Sequence, residues 1–338
     1  MAKGQGKPAS DKSGIVARLP KACADELAAV EFFEDQRWAN TGPCCPHCGS
    51  AAVYKMTDRR TGQRNRRFLW LCEGCKKQYT VRVNSVLEDS RIPLRYWAYA
   101  FWKACSSKKG VSALQIKRET GLTYKSALFL MHRIRFAMAE DWGGQMKLSG
   151  IVETDETYVG GKPRNKGTHR GRVKGWLEHK TPVVSLLERG GKIRSFVTAD
   201  VTAANVGRIL KENVVREATH LMTDTAPVYT RSNIGWYFLK HSMTDHSRGE
   251  YARRDGTHSN TVESAFALLK RGIYGTFHNV SRKHLHRYVA EFDFRWNARN
   301  VDDGERTALA IRSAEGKRLR YREPVAKRAA GPVQGVPL

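Results

Sequence analysis

The chain has 338 residues, with 59 Lys and Arg against 33 Asp and Glu, a formal net charge of +26 and a pI near 10.0. That length favours two or three domains with at least one sizeable core, and that charge points to a polyanionic partner, most commonly nucleic acid. No run of about 18 apolar residues is present, which argues against a membrane-spanning helix; seven cysteines, with four of them in CxxC pairs, suit a reducing compartment rather than a secreted disulfide framework.

In chain order, MAKGQGKPASDKSG lacks an apolar core after its lysines and reads as part of a flexible leader over residues 1–20. KACADELAAVEFFEDQRW carries apolar residues at roughly helical spacing and stops before Gly42-Pro43, so a helix should lead into the cysteine region. Short alternating runs, VYKM, RFLWLC and QYTVRV, predict hairpin strands. Two knuckles flank them, Cys45-Pro-His-Cys48 and Cys72-Glu-Gly-Cys75. Each knuckle turn offers two sulfurs to one ion and the hairpin brings the pairs together, the pattern of a closed tetrahedral zinc site. Such a site has no open coordination position and staples rather than catalyses. Cys44 is then the spare thiol and His47 an exposed knuckle residue. Residues 21–90 are expected to hold this helix and zinc ribbon.

Three helical blocks follow, RYWAYAFWKAC, VSALQIKRETG and TYKSALFLMHRIRFAMAEDW, and residues 91–145 read as a helix-turn-helix module with Gly121 at the turn and Thr123 as N-cap. On the last helix Ala127, Leu130, Met131, Ile134 and Met138 form an apolar stripe, which leaves Tyr124, Lys125, Arg133 and Arg135 facing solvent or DNA. A plain helical bundle serving as a dimer interface is the blander alternative.

From Gly150 strands and helices alternate, an α/β domain expected over 146–300, with a basic, partly disordered tail over 301–338. The strand IVETDETYV places Glu153 and Asp155 on one face and Glu156 on the other. A buried carboxylate is tolerated when a cation or donor takes its charge. HLMTD delivers Asp224 to the end of a second strand. In the helix opening at HSNTVE, Asn260, Glu263, Ala267 and Lys270 share one face. Asp155, Asp224 and Glu263 together form a set able to hold two Mg²⁺ ions, or Mn²⁺, with Lys270 placed to meet a phosphate. Each acid alone has a plainer reading: Asp224 as a turn cap, Glu263 as a first-turn residue favoured by the helix dipole, Asp155 as the partner of an Arg. The loop GGKPRNK offers Lys162, Arg164 and Lys166 to the DNA backbone, or is an ordinary surface loop. Tyr158 is core or a base-stacking ring, and Glu153 an accessory ligand or the partner of a Lys or Arg.

The chain resembles the DDE transposases of a bacterial insertion-sequence family related to the Merlin elements. The resemblance is carried by CPHCGS, CEGCKKQYTVR, SRIPLRYWAYAFW, VETDETYVGGKPRN, HSRGEYAR and the run from His258 to Asn300. It implies a multidomain α/β protein, in which a ribonuclease-H-like mixed sheet with flanking helices is preceded by a zinc ribbon and a helix-turn-helix. It further implies cleavage and strand transfer at terminal inverted repeats, double-stranded DNA as partner at the element ends and the target, a homo-oligomer in the synaptic complex, and work in the bacterial cytoplasm on the nucleoid, away from membranes. It assigns Asp155, Asp224 and Glu263 to catalytic metal, with Lys270 beside them. The alternatives are a DNA-binding regulator descended from a transposase, and a metal-dependent nuclease without strand transfer.

Overall fold

The computed structural model describes residues 14–39, 41–141, 146–160, 180–230 and 237–320. The amino-terminal part begins with helices α1 (Ile15–Ala24) and α2 (Glu26–Arg37), the latter capped by the Asp25 carboxylate, which accepts the Ala28 N–H. A small antiparallel sheet follows, β1 (Val53–Lys55), β2 (Trp70–Cys72) and β3 (Gln78–Tyr79), in the order β1-β2-β3. The helices α3 (Leu94–Ser106), α4 (Ala113–Thr120) and α5 (Tyr124–Met138) complete this half. Gly121 ends α4 in the left-handed conformation, φ 74°, where a side chain would be strained, and the Thr123 hydroxyl caps α5 at the Ser126 N–H. The turn chemistry read from the sequence is therefore the turn chemistry present.

The carboxy-terminal half is built on β4 (Leu148–Val159), β5 (Thr181–Glu188), β6 (Ile193–Val197), β7 (Val214–Asp224) and β8 (Lys240–Thr244). These form one sheet in the order β6-β5-β4-β7-β8. β4, β5 and β6 run antiparallel, whereas β7 and β8 run parallel to β4. A three-strand meander extended by two parallel strands is the ribonuclease-H-like arrangement the resemblance implied. One face of the sheet packs on α6 (Ala203–Asn213) through Val152, Leu186, Val206, Leu210 and Leu221. The other face packs on α8 (Asn260–Gly272) and α9 (Leu285–Asn297) through Val159, Val183, Leu269, Val289 and Phe292. A short helix, α7 (Pro227–Thr230), follows β7.

One expectation needs correction and a second is sharpened. The leader expected over 1–20 is helical from Ile15, because Ile15, Leu19 and Ala22 are buried in the helical core. Within the tail expected to be partly disordered over 301–338 lies α10 (Asp303–Arg312), capped by Asp302 at the Glu305 N–H, and residues 321–338 lie outside the described residues. Ala308, Ala310, Ile311 and Ala314 enter the same core as Trp97, Phe101 and Leu130. Small apolar residues at helical spacing were masked there by the surrounding Arg and Lys. The three helices read from the sequence as a helix-turn-helix module, α3 to α5, are thus part of a larger helical body with α1, α2 and α10.

Candidate active site and nucleic-acid interface

The four knuckle sulfurs converge. Cys45, Cys48, Cys72 and Cys75 offer sulfurs that all lie within 4.8 Å of one another. The backbone supports them, since the His47 N–H points to the Cys45 sulfur at 3.4 Å and the Cys75 N–H to the Cys72 sulfur at 3.5 Å. Behind them Trp70 packs edge-on to Trp38 and stacks on Tyr79, and its indole N–H donates to the buried Glu34 carboxylate at 2.7 Å. Arg64 also pairs with Glu34, at 2.5 Å.

Two of the three acids lie at the ends of neighbouring parallel strands. The β4–β7 ladder closes with Glu153 opposite Met222, and Asp155 and Asp224 each lie two residues beyond it, in the crevice that parallel strands open at their carboxyl ends. Asp155 accepts the Glu156 N–H at 2.7 Å. Its carboxyl is pushed up to about 7, first by burial, against that hydrogen bond, and then by the charges of Glu156, Asp224 and Glu263. Asp224 and Glu263 are thus close enough for their charges to be felt at Asp155, without being gathered into a tight cluster with it. Asp224 itself accepts the Ala226 N–H at 3.0 Å. Among the described residues, no other set of three or more metal-ligating side chains is gathered as tightly as the cysteines.

Glu153 explains how Glu263 arrives there. Its side chain is fully buried and accepts four hydrogen bonds: from the Thr261 and Val262 N–H groups at 2.9 and 3.0 Å, the Thr261 hydroxyl at 2.8 Å and the Arg189 Nε at 2.6 Å. Arg189 in turn donates to the carbonyls of His258 and Gly256. A carboxylate at the positive end of α8, held by two of its free N–H groups, pins the first turn of that helix to β4 two residues before Asp155. Glu153 is therefore the partner of an Arg, one of the two roles the sequence left open. Glu156 points to the opposite face, where the Tyr229 hydroxyl donates to it at 3.0 Å.

His246, given no role by the sequence, was found by geometry. It lies in the HSRGEYAR segment, its Nδ1 is 3.4 Å from the Glu263 carboxylate and its Nε2 is 3.3 Å from the Thr244 hydroxyl. Lys270 is exposed on α8, two turns past Glu263. Lys162, Arg164 and Lys166 lie outside the described residues.

The candidate DNA-facing residues of α5 divide into two groups. Tyr124 and Lys125 are exposed in the first turn of α5, where such a helix presents side chains to base edges. Arg133 and Arg135 are not on that surface. Arg133 is buried and donates to the carbonyls of Val86 and Glu88 at 2.9 and 2.7 Å, tying α5 to the segment after the ribbon. Arg135 is 1% exposed, pairs with Glu291 of α9 at 2.6 Å and lies 4.0 Å from the centre of the Tyr288 ring. Arg295 bonds the same carboxylate and the Ala104 carbonyl of α3. Basic residues on a helix of alternating register read as exposed until the second body that covers them is known.

Comparison with known proteins follows the same division. The ISXO2-like transposase domain family matches residues 147–297, and the transposase zinc-ribbon domain family matches residues 24–78. A protein of Halobacterium salinarum described as an uncharacterized protein in transposable element ISH50 is 28% identical over 286 residues, spanning 81% of this chain and 92% of the relative. A chain from a simian T-cell lymphotropic virus intasome in complex with a PP2A regulatory subunit aligns over 71% of this chain and 78% of its own length, at 10% identity. Its TM-score of 0.28 is too low to bear on fold or function.

Proposed function

We propose that this chain, which belongs to the ISXO2-like transposases through residues 147–297, binds the terminal inverted repeats of an insertion sequence, hydrolyses a phosphodiester at each element end and joins the freed 3′-hydroxyl to target DNA. The observation that supports this best is the placement of Asp155 and Asp224 at the ends of adjacent parallel strands, with the start of the helix that carries Glu263 pinned to the same strand as Asp155 and the charges of Asp224 and Glu263 felt at the buried Asp155. Such a set lacks positive charge, and hard oxygen donors of this kind fit Mg²⁺ or Mn²⁺. Asp155, Asp224 and Glu263 would hold the ions, which when bound polarise the phosphate and stabilise the attacking and leaving oxygens.

The protein's own groups do the placing. Glu153 and Arg189 fix the start of α8, His246 steadies the Glu263 carboxylate, and Lys270 receives a phosphate entering beside it. Tyr124 and Lys125 face the DNA from the first turn of α5, while the four cysteines hold structural Zn²⁺ that keeps the ribbon folded. The basic surface keeps the protein on double-stranded DNA in the bacterial cytoplasm, and two element ends call for more than one copy in the synaptic complex. Among the described residues no helix is long and apolar enough to cross a membrane.

The test is Asp155→Ala, assayed for strand cleavage and for joining of a pre-cleaved end carrying the sequence that flanks the gene. Both activities should fall on the order of a thousandfold or more, with DNA-end binding retained. Undiminished cleavage by the variant would sink the assignment. A wild type that cleaves but never joins a pre-cleaved end is a nuclease instead, and one that only binds is a regulator. The presence of all three acids favours the enzyme over the regulator.

A further inference from the structure

α8 runs beside β4 in the same direction, from Thr261 at Glu153 to Leu269 and Ile273 packed with Val159. Glu263 and Lys270 share its outer face. The helix does not end where its hydrogen bonding first changes but continues as a π-helical turn, Ile273–Phe277. Such turns are uncommon and recur at functional sites. This one holds Ile273 in the core and turns the Tyr274 ring outward at 59% exposure. No hydrogen bond or ring contact engages that ring among the described residues. The turn closes on His278, a non-glycine residue at φ 59°, a conformation that costs energy and persists where the surroundings enforce it.

Cations collect at the same place. Arg282 donates to the Thr181 hydroxyl at 3.1 Å, at the start of β5, where Thr181 pairs with Val159. Lys180 precedes Thr181, and its ammonium is held below its usual pKa by desolvation and by the charge of Lys270. Lys180 and Arg282 thus flank Thr181 at the end of β4, four residues beyond Asp155, the charge of Lys270 is felt there, and Tyr274 is exposed on the turn that packs Ile273 with Val159. Like charges held this close are stabilised when a polyanion lies between them. From Glu263 to Tyr274 is 11 residues, about 16 Å of helix. That is about five base steps of a duplex strand at roughly 3.4 Å each.

We propose that the π-helical turn Ile273–Phe277, with Lys180, Lys270 and Arg282, is a binding site for unpaired DNA leaving the cleavage centre, in which the Tyr274 ring stacks on an unstacked base. The inference rests on the transposase reading and deepens it, since it names the form of DNA held on one side of the acids. Stacking on an aromatic ring is tolerant of sequence, because every base has a π-face, so this surface holds a strand without reading it.

The experiment uses the full-length protein in Ca²⁺, with two short duplexes carrying the sequence that flanks the gene. One is blunt and the other has a short unpaired 3′ tail with 2-aminopurine in the tail. The wild type should bind the tailed duplex about tenfold more tightly than the blunt one, the effect of one stacked base, and should quench the 2-aminopurine fluorescence. Tyr274→Ala should lose both the preference and the quenching while binding the blunt duplex as before, and Tyr274→Phe should keep both. A Tyr274→Ala protein that retains the preference, or a wild type that binds both duplexes equally, overturns the inference and leaves the transposase reading standing. A wild type that binds neither duplex brings down that reading, and this inference with it.

Discussion

The cysteine cluster and the candidate acid set of this protein pose opposite problems. The four cysteines are drawn within 4.8 Å, backed by N–H groups and by the stacked Trp70 and Tyr79, and they leave no room for substrate. The three acids are spread over two strands and a helix, are not gathered into a tight cluster, and depend on a separate carboxylate, Glu153, to pin the start of the helix. A closed set can be specified by residues next to each other in sequence, whereas an open set must be assembled by the fold. The difference teaches where each is vulnerable: the first through its own ligands, the second through residues that never touch the reaction.

The largest effect expected is therefore on the closed set. Removing the metal, or Cys72→Ser, should cost on the order of 10 kcal/mol of ribbon stability. It should abolish the near-ultraviolet circular dichroism of the Trp38 and Trp70 pair, whose rings sit 5.2 Å apart, while the ribonuclease-H-like sheet still melts cooperatively. Retention of that signal after chelation would mean that the ribbon stands without its ion.

For the open set the sharper probe is Glu153→Gln. The protein should fold, since Gln still accepts from the α8 N–H groups, but the lost charge weakens the bond to Arg189. The Mg²⁺ concentration for half-maximal cleavage should rise about 10- to 100-fold, the usual effect of altering a residue that orients metal ligands, and excess Mg²⁺ should restore most of the rate. An unchanged metal titration would show that Glu153 serves folding alone.

The smallest effect concerns an acid that has neither ion nor cation. Asp293 of α9 is buried, accepts the Ser195 N–H and hydroxyl at 2.8 and 2.7 Å, and is pushed up to about 7 by burial. A folded pKa above the ordinary carboxylate value stabilises the protein fully below about pH 4, and that contribution is lost as pH rises through about 7. Asp293→Asn should thus raise the melting midpoint by a few degrees at pH 8 and leave it unchanged at pH 4. A gain that is equal at both pH values would show that the acid is not titrating there.

How much of this could be read beforehand follows the same division. The cysteine knuckles are local, and Gly121 and Thr123 are local, so their structure was visible in the sequence. Asp155, Asp224 and Glu263 were visible as types in the right order, and the fold then set two of them beyond the last paired residues of adjacent strands. Glu153 was ambiguous because its partners, Arg189 and Thr261, lie 36 and 108 residues away. Arg133 and Arg135 were misread for the same reason: periodicity finds one buried stripe on α5, but the Val86 and Glu88 carbonyls, 47 and 45 residues before the Arg133 that donates to them, and Glu291, 156 residues after Arg135, cover the two. α10 was hidden by averaging composition over a segment whose apolar residues, Ala308 and Ile311 among them, are few but well placed.

The buried Arg135–Glu291–Arg295 cluster reaches further than stability. It joins the helix that presents Tyr124 and Lys125 to the helix that packs against α8, through a carboxylate with no exposure and a guanidinium with 1%. Charges so deeply paired do not part cheaply, removal of one costing about 3–5 kcal/mol, so the two helices turn together or not at all. On the transposase reading proposed above, a sequence gripped by the first turn of α5 would be carried at a fixed offset from the acids, and the molecule would measure from recognition to cut as a rigid gauge rather than as two parts on a tether.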